Sequence, residues 1–318
     1  MNALYITETD VARLVTIHDA IDALDECFAH WRELRSENLP RGRARLPGGA
    51  FNLLGAGYSL KKVFGLKAYF AAPGGARFHV MLYSAESGAL LAMIEADLFG
   101  QLRTGAASGI ATRLLARPDA SSLAVIGAGQ QAFAQVAAIA AVRPIRSVSI
   151  FSRSAERRSA FARRIERELN IEAVPADSAD SCVGGADIVT TITKSPEPVC
   201  LGAWLSPGVH VNAAGANAAN RRELDQATIL RADARFTDSI AQARLEAGEF
   251  IDRVAAGQLA WEDVGEIGDL ASGATPGRRS DRDITLFKSL GLGIEDVAFA
   301  ALVQRRAIER GVEGRLNI

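Results

Sequence analysis

The chain has 318 residues, enough for about two domains, because a single hydrophobic core usually stops growing near ~250–300 residues. Hydrophobic residues at 48% and charged residues at 23% fit a soluble globular protein, and a net charge of -1 provides no field that favours nucleic acid or an anionic membrane. No stretch approaches the ~18 apolar residues of a membrane span, so the expected partner is a small molecule, with no nucleic acid and no membrane.

Cys27, Cys182 and Cys200 lie far apart, without a CxxC pair or histidines at ligand spacing. They are read as buried free thiols in a reducing compartment, with no metal site. The opening "MNALYITETD" lacks a basic segment followed by an apolar core, and a cytoplasmic location is expected.

In chain order, the first clear element is a helix. Thr16 and Asp19 form a capping box, and Ile21, Leu24, Phe28 and Trp31 recur at helical spacing. "GLKAYFAA" and "RFHVMLYSAESGALLAMIEA" read as strands, the second broken by a turn at residues 85–88. Residues 100–116, "GQLRTGAASGIATRLLA", return to helix, which Pro118 ends. Short β-branched runs then alternate with helical segments: "LAVI", "SVSIF", "DIVTTIT", "VHVNAAG" and "ARFTD". That rhythm indicates a parallel sheet covered on both faces. A last helix spans residues 293–311. The pattern predicts an α+β unit to about residue 117, then a doubly wound α/β domain.

"LAVIGAGQQAFAQ" places two glycines between a strand and a helix. A dinucleotide loop needs one glycine for the tight turn, another for close approach of the pyrophosphate, and a small third residue so that helix packs on strand. Gly127, Gly129 and Ala132 fill these positions, and the following helix directs its amides at phosphate. The strand before, the helix after and the alternating series downstream favour nucleotide binding over an ordinary turn. The second strand ends in Ser152, Arg153 and Ser154, where an NAD site usually carries an acid for the ribose 2′-hydroxyl. An arginine between small hydroxyls suits a 2′-phosphate, so NADP(H) is preferred and NAD(H) remains possible.

Four blocks, "GQLRTGAASG", "VIGAGQQA", "PGVHVNAAGANAANRREL" and "ITLFKSLGLGIEDV", together resemble the ornithine cyclodeaminase/mu-crystallin family along nearly the whole chain. The resemblance implies a Rossmann doubly wound parallel sheet plus an α+β substrate and dimerisation domain completed by the C-terminal helix. The expected division is residues 1–117 with 293–318 for substrate and dimerisation, and 118–292 for the dinucleotide. It also implies a homodimer and an NAD(P)-dependent oxidoreductase acting on a small imino or amino acid. Arg43, Lys67 and Arg103 are implied to meet the substrate carboxylate, although Arg41 and Arg45 flank Arg43. Lys67 and Asn217 are candidate catalytic groups, and Thr104, Gln130 and Gln131 join the glycines at the cofactor. Isolated buried cations are costly unless an anion pairs with them, which agrees with this assignment.

The chain departs from the cyclodeaminases, which resemble it at "AAGAN" but carry aspartate where Asn217 stands, and glutamate where Asn52 stands. Asparagine exchanges hydrogen bonds but cannot shuttle a proton. Ornithine- or lysine-type cyclodeamination is therefore the second reading. Reduction of a C=N bond asks only for orientation and hydride delivery. His79, in "RFHVML", is a candidate proton donor because histidine titrates near neutrality, whereas His210, in "GVHVNAA", reads as a core residue. A third reading is an NADPH-dependent ligand-binding protein with little turnover, as in mu-crystallin; an aryl hormone has no use for three cations.

Overall fold

The computed structural model describes residues 2–317. The chain divides into two units, residues 1–103 with 291–318, and residues 104–290.

In the first unit, β1 (Asn2–Ile6), β2 (Gly42–Leu46), β3 (Gly49–Tyr58), β4 (Val63–Ala72), β5 (Gly75–Ser84) and β6 (Leu90–Glu95) join the C-terminal strand Arg315–Asn317. The strands run in the order C-terminal strand, β1, β6, β5, β4, β3, β2. Period-two alternation gives the sheet two unlike faces. On β3, Asn52, Leu54, Ala56 and Tyr58 are buried, whereas Phe51 and Leu53 are exposed. Leu54 lies opposite Lys67, and Lys67 opposite Val80, so these three share the inner face. Leu53, Ala68 and His79 form the next row, on the outer face.

The inner face is covered by the helix Gly293–Glu309, which buries Val297, Phe299 and Val303. Phe299 packs against Phe99 with ring centroids 4.7 Å apart. Beside it lies the helix Ile17–Ala29, whose capping box of Thr16 and Asp19 forms as the sequence predicts. Arg306 joins the two helices through the Asp19 carboxylate, and it also donates to the carbonyl of Leu14, the last residue of the preceding helix, at 2.9 Å.

The second unit holds eight parallel strands: β7 (Ser122–Ile126), β8 (Ser147–Phe151), β9 (Glu172–Pro175), β10 (Ile188–Thr191), β11 (His210–Ala213), β12 (Ala234–Thr237), β13 (Val264–Glu266) and β14 (Thr285–Lys288). Their order is β13-β12-β14-β11-β10-β7-β8-β9. Read from β9, this is the 3-2-1-4-5 winding of a dinucleotide-binding fold, with its switch point between β7 and β10. Every residue of β10, β11 and β14 is buried, as a sheet covered on both faces requires. Alternate residues of β7 enter separate cores: Leu123 and Val125 pack with Val136, Ile139 and Ile165, while Ala124 and Ile126 pack with Val211, Phe250 and Leu286.

The division falls inside the helix Asp97–Leu115, between Arg103 and Thr104, rather than after it at residue 117. The later turns of that helix pack closely on the helix Ala132–Val142, because a Cβ at Gly105 would collide with the Ala134 carbonyl. No helix among the described residues is long and apolar enough to cross a membrane. All three cysteines are buried free thiols.

Candidate active site

The inner face of the first sheet gathers cations. Lys67 is 3% exposed, Arg103 7% and Arg41 8%. Two fully buried carboxylates from the covering helix, Glu295 and Asp296, meet them. Lys67 Nζ lies 2.8 Å from Asp296 Oδ1 and 2.7 Å from Oδ2. Arg103 reaches Glu295 Oε2 through Nη1 at 3.0 Å and Asp296 Oδ1 through Nε at 2.8 Å. Arg41 Nη1 donates to the Tyr69 hydroxyl at 2.7 Å, and its Nη2 donates to the Gly291 carbonyl at 3.2 Å. A side chain at Gly291 would strike the Arg103 guanidinium, so Arg41 and Arg103 converge on this residue. Burial lowers the Lys67 pKa to about 7; the Arg103 and Arg41 charges add to the effect and Asp296 opposes it.

Lys67, Arg103 and Arg41 thus lie buried near one another, with Glu295 and Asp296 bound to the first two. Guanidinium groups held in place by buried acids can receive a carboxylate through charge-assisted hydrogen bonds.

Sequence reasoning placed Arg43 in this group, with Arg41 as the neighbour that could be confused with it. Strand pairing opposite Asn52 puts Arg43 on the Lys67 face, but at the exposed sheet edge. There its Nε donates to Asn52 Oδ1 at 2.8 Å. Arg41 is the buried one. Asn52 is itself buried and donates to the Ala50 carbonyl at 3.0 Å.

His79 requires a correction. It directly follows Phe78 and precedes Val80, which share the Lys67 face, so strand alternation turns it outward. Its cross-strand partner is Glu95, whose carboxylate accepts from Tyr5 Oη at 2.8 Å and from the Glu8 N–H at 2.9 Å. A proton donor to a substrate held at Lys67 cannot stand on the opposite face of the sheet.

In the second unit, the glycine loop leaves β7 at the switch point. Gly127 adopts φ +121°, and a Cβ there would lie 2.5 Å from the Ile192 carbonyl oxygen. The turn therefore needs glycine. Gly129 has open space where a side chain would stand, and Ala132 is fully buried at the start of its helix. Gln131 Oε1 is a buried acceptor without a hydrogen-bond partner among the described residues. An open backbone, a helix N-terminus and an unmatched acceptor fit a pyrophosphate with its ribose hydroxyls. Thr104 and Gln130 belong to the same unit, and Gln135, one turn into the loop helix, donates to the Thr104 carbonyl at 3.2 Å.

At the end of β8, Ser154 caps the next helix by accepting from the Arg157 N–H at 3.2 Å. Arg153 is exposed, and Arg158 Nη1 donates to the Ser152 carbonyl at 3.1 Å. No carboxylate stands among residues 152–154. Asn217 is half-buried in the loop after β11, at the carboxyl end of the sheet where doubly wound folds bind ligands. His210 is fully buried between Thr285 Oγ1 at 3.0 Å and Asn212 Oδ1 at 3.1 Å, and burial pushes its pKa down to about 3. It is a core residue.

The carboxylates Glu295 and Asp296 escaped the sequence reading. Their signal was present: two acids stand inside the apolar run "GLGIEDVAFAAL", where burial without a cation is untenable.

The family model for the ornithine cyclodeaminase/mu-crystallin family matches residues 1–311. A Delta(1)-pyrroline-2-carboxylate reductase of Bacillus cereus is 37% identical over 239 residues, 75% of this chain and 73% of its own. The structure of the Thermococcus litoralis Delta(1)-pyrroline-2-carboxylate reductase in complex with NADH and L-proline matches with a TM-score of 0.93 at 28% identity, covering 99% of this chain and 100% of that one. An archaeal alanine dehydrogenase dimer with bound NAD also gives 0.93, at 30% identity and with both chains covered in full.

Proposed function

The chain belongs to the ornithine cyclodeaminase/mu-crystallin family, and from that premise we propose an NADP(H)-dependent oxidoreductase that transfers hydride at the C=N or C–N bond of a small α-imino or L-amino acid. The observation that carries this reading is the gathering of Lys67, Arg103 and Arg41, all buried, beside Glu295 and Asp296 in the first unit. A bound nicotinamide dinucleotide supplies the hydride; the chain supplies orientation and charge.

Glu295 and Asp296 hold the Arg103 guanidinium plane in one orientation, so a substrate carboxylate meets a fixed donor. Lys67, with its pKa lowered to about 7, changes charge near neutrality. It is the group of this cluster suited to keeping an imine nitrogen protonated, the state that accepts hydride readily. Arg43 lies on the same sheet face, at its edge, as a further cation for an incoming acid. Asn217 orients by hydrogen bonding and cannot run the proton steps of ring closure with ammonia loss.

Ser152, Arg153 and Ser154 support preference for a 2′-phosphate over a bare ribose. The outer face of the first sheet leaves Phe51, Leu53, Phe64 and Phe70 each about two-fifths exposed. Such a face supports a homodimer. Three buried free thiols support a cytoplasmic location.

The test follows NADPH oxidation with Δ1-pyrroline-2-carboxylate, Δ1-piperideine-2-carboxylate and linear 2-oxo acids mixed with ammonia or methylamine. Turnover of at least one imine is expected, with NADPH bound more tightly than NADH. Robust ammonia and proline formation from ornithine with NAD+, without imine reduction, would instead establish the cyclodeaminase reading. Tight NADPH binding with no turnover on any of these substrates would leave the ligand-binding reading.

A further inference from the structure

Within the second unit, Glu223 has no exposed surface and lies outside the groups assigned above. Its carboxylate accepts three backbone N–H groups. Oε1 takes Thr193, just past the end of β10, at 2.6 Å. Oε2 takes Gly215 at 2.7 Å and Ala216 at 3.2 Å, in the loop after β11. Asn217 is the next residue along.

The carboxylate is held from behind. The Glu223 carbonyl accepts from the Val199 and Cys200 N–H groups at 2.8 and 3.0 Å. Its own N–H donates to Glu249 Oε1 at 2.9 Å, and that oxygen also meets the buried Lys288 ammonium at 3.2 Å. Burial pushes the Glu223 pKa up, while Lys288 and the N–H donors pull against that rise. Three N–H donors aimed at one carboxylate form a clasp that no neutral side chain of this shape reproduces. Glutamine would turn an amide N–H toward at least one of them.

The clasp joins the carboxyl ends of β10 and β11, on the side of the switch point away from the adenosine-binding strand β8. In a doubly wound dinucleotide fold, the nicotinamide half of the ligand lies on that side. We propose that Glu223 is a positioning residue for the reaction: by fastening Thr193 to Gly215 and Ala216, it sets where Asn217 stands toward the nicotinamide half of the cofactor. The proposal rests on the oxidoreductase reading above. Its action is transmitted through Asn217, so the two side chains are energetically one device.

The test compares wild type, Glu223→Gln, Asn217→Ala and the double variant for imine reduction. Affinities for NADPH and for ADP or its 2′-phosphorylated form are measured on the same preparations. A displacement of ~1 Å at the reacting groups lowers the rate on the order of 100-fold. E223Q is expected to reduce kcat by roughly ten- to a hundredfold, while the adenosine fragments bind within about twofold of wild type. Adding Asn217→Ala to E223Q is expected to cost less than about threefold more, because coupled residues are not additive.

A wild-type kcat in E223Q overturns the proposal. So does weakening of the adenosine fragments in parallel with kcat, or full additivity with Asn217→Ala, since either marks general loosening of the fold. Should E223Q fail to fold, Glu223→Asp, which keeps the charge and shortens its reach by one methylene, is judged on the same three criteria. If wild type itself reduces none of the imines, the oxidoreductase reading fails first, a result separate from these.

Discussion

In the loop after β7, the proposed phosphate site is backbone: residues 127–132 are contiguous, and Gly127 and Gly129 provide the conformation and the open approach. On the first sheet, the proposed carboxylate site is made of side chains brought from positions 41, 67 and 103, with acids at 295 and 296 beside them. The first device is neutral and depends on local geometry. The second is an array of charges that neutralise one another, so each member sets the state of the others.

If the two devices are separate, a change in one must leave the other untouched. The largest effect is expected at Arg103. Arg103→Lys retains a charge but not the planar fork that Glu295 and Asp296 align. It is expected to lower kcat/KM by about two orders of magnitude through misalignment. NADPH affinity is expected to change less than about threefold. A parallel collapse of both constants, in a variant whose circular dichroism matches wild type, would merge the two devices.

The converse change is smaller. Arg153→Ala is expected to narrow the preference for NADPH over NADH roughly tenfold, the scale of one exposed charge-assisted hydrogen bond. Substrate KM should stay put. Equal dissociation constants for the two nucleotides in wild type would refute the preference.

A several-fold effect is expected from pH. Lys67 is cationic below about pH 7 and neutral above it. Cyclopentane carboxylate, an inhibitor with no titrating nitrogen, should bind several-fold more weakly at pH 8 than at pH 6, as one charged hydrogen bond is lost. The same depressed pKa acts on stability with the opposite sign. Unfolded Lys67 binds its proton up to about pH 10.4, so its contribution to stability rises with pH between about 7 and 10.4. A flat inhibitor profile would show that Lys67 keeps one charge state throughout.

The smallest effect sharpens the contrast between sheet faces. His79→Ala is expected to leave kcat/KM within about twofold, because strand alternation holds it away from Lys67. A tenfold loss in the folded variant would return His79 to the site.

The alternating strands and helices of the second unit were legible because their periodicity is local: each of the five apolar runs read from the sequence became a strand of the parallel sheet. The glycine loop was legible for the same reason. The first unit was harder. Strands β2 and β3 are rich in glycine and arginine, with no strong propensity, and become strands by pairing with β4. Neighbouring arginines 41 and 43 differ in no local signal; burial separates them, and the buried Arg41 reaches the Gly291 carbonyl 250 residues further on. The division between Arg103 and Thr104 falls inside one continuous helix, where only packing, and no break in the sequence pattern, marks it.

Strand β4 carries Lys67 on one side and Phe64 and Phe70 on the other. Its side chains alternate strictly, so loss or gain of one residue ahead of Lys67 within the strand would rotate the lysine to the outer face and bring an uncharged neighbour, Ala68 on a loss, to its place. A change of two residues would preserve the faces but shift Lys67 past Asp296. Length is therefore frozen in this strand far more firmly than identity. A library that scans single-residue deletions through Val63–Ala72 should yield almost no active clones, while substitutions at the outward positions 66 and 68 survive.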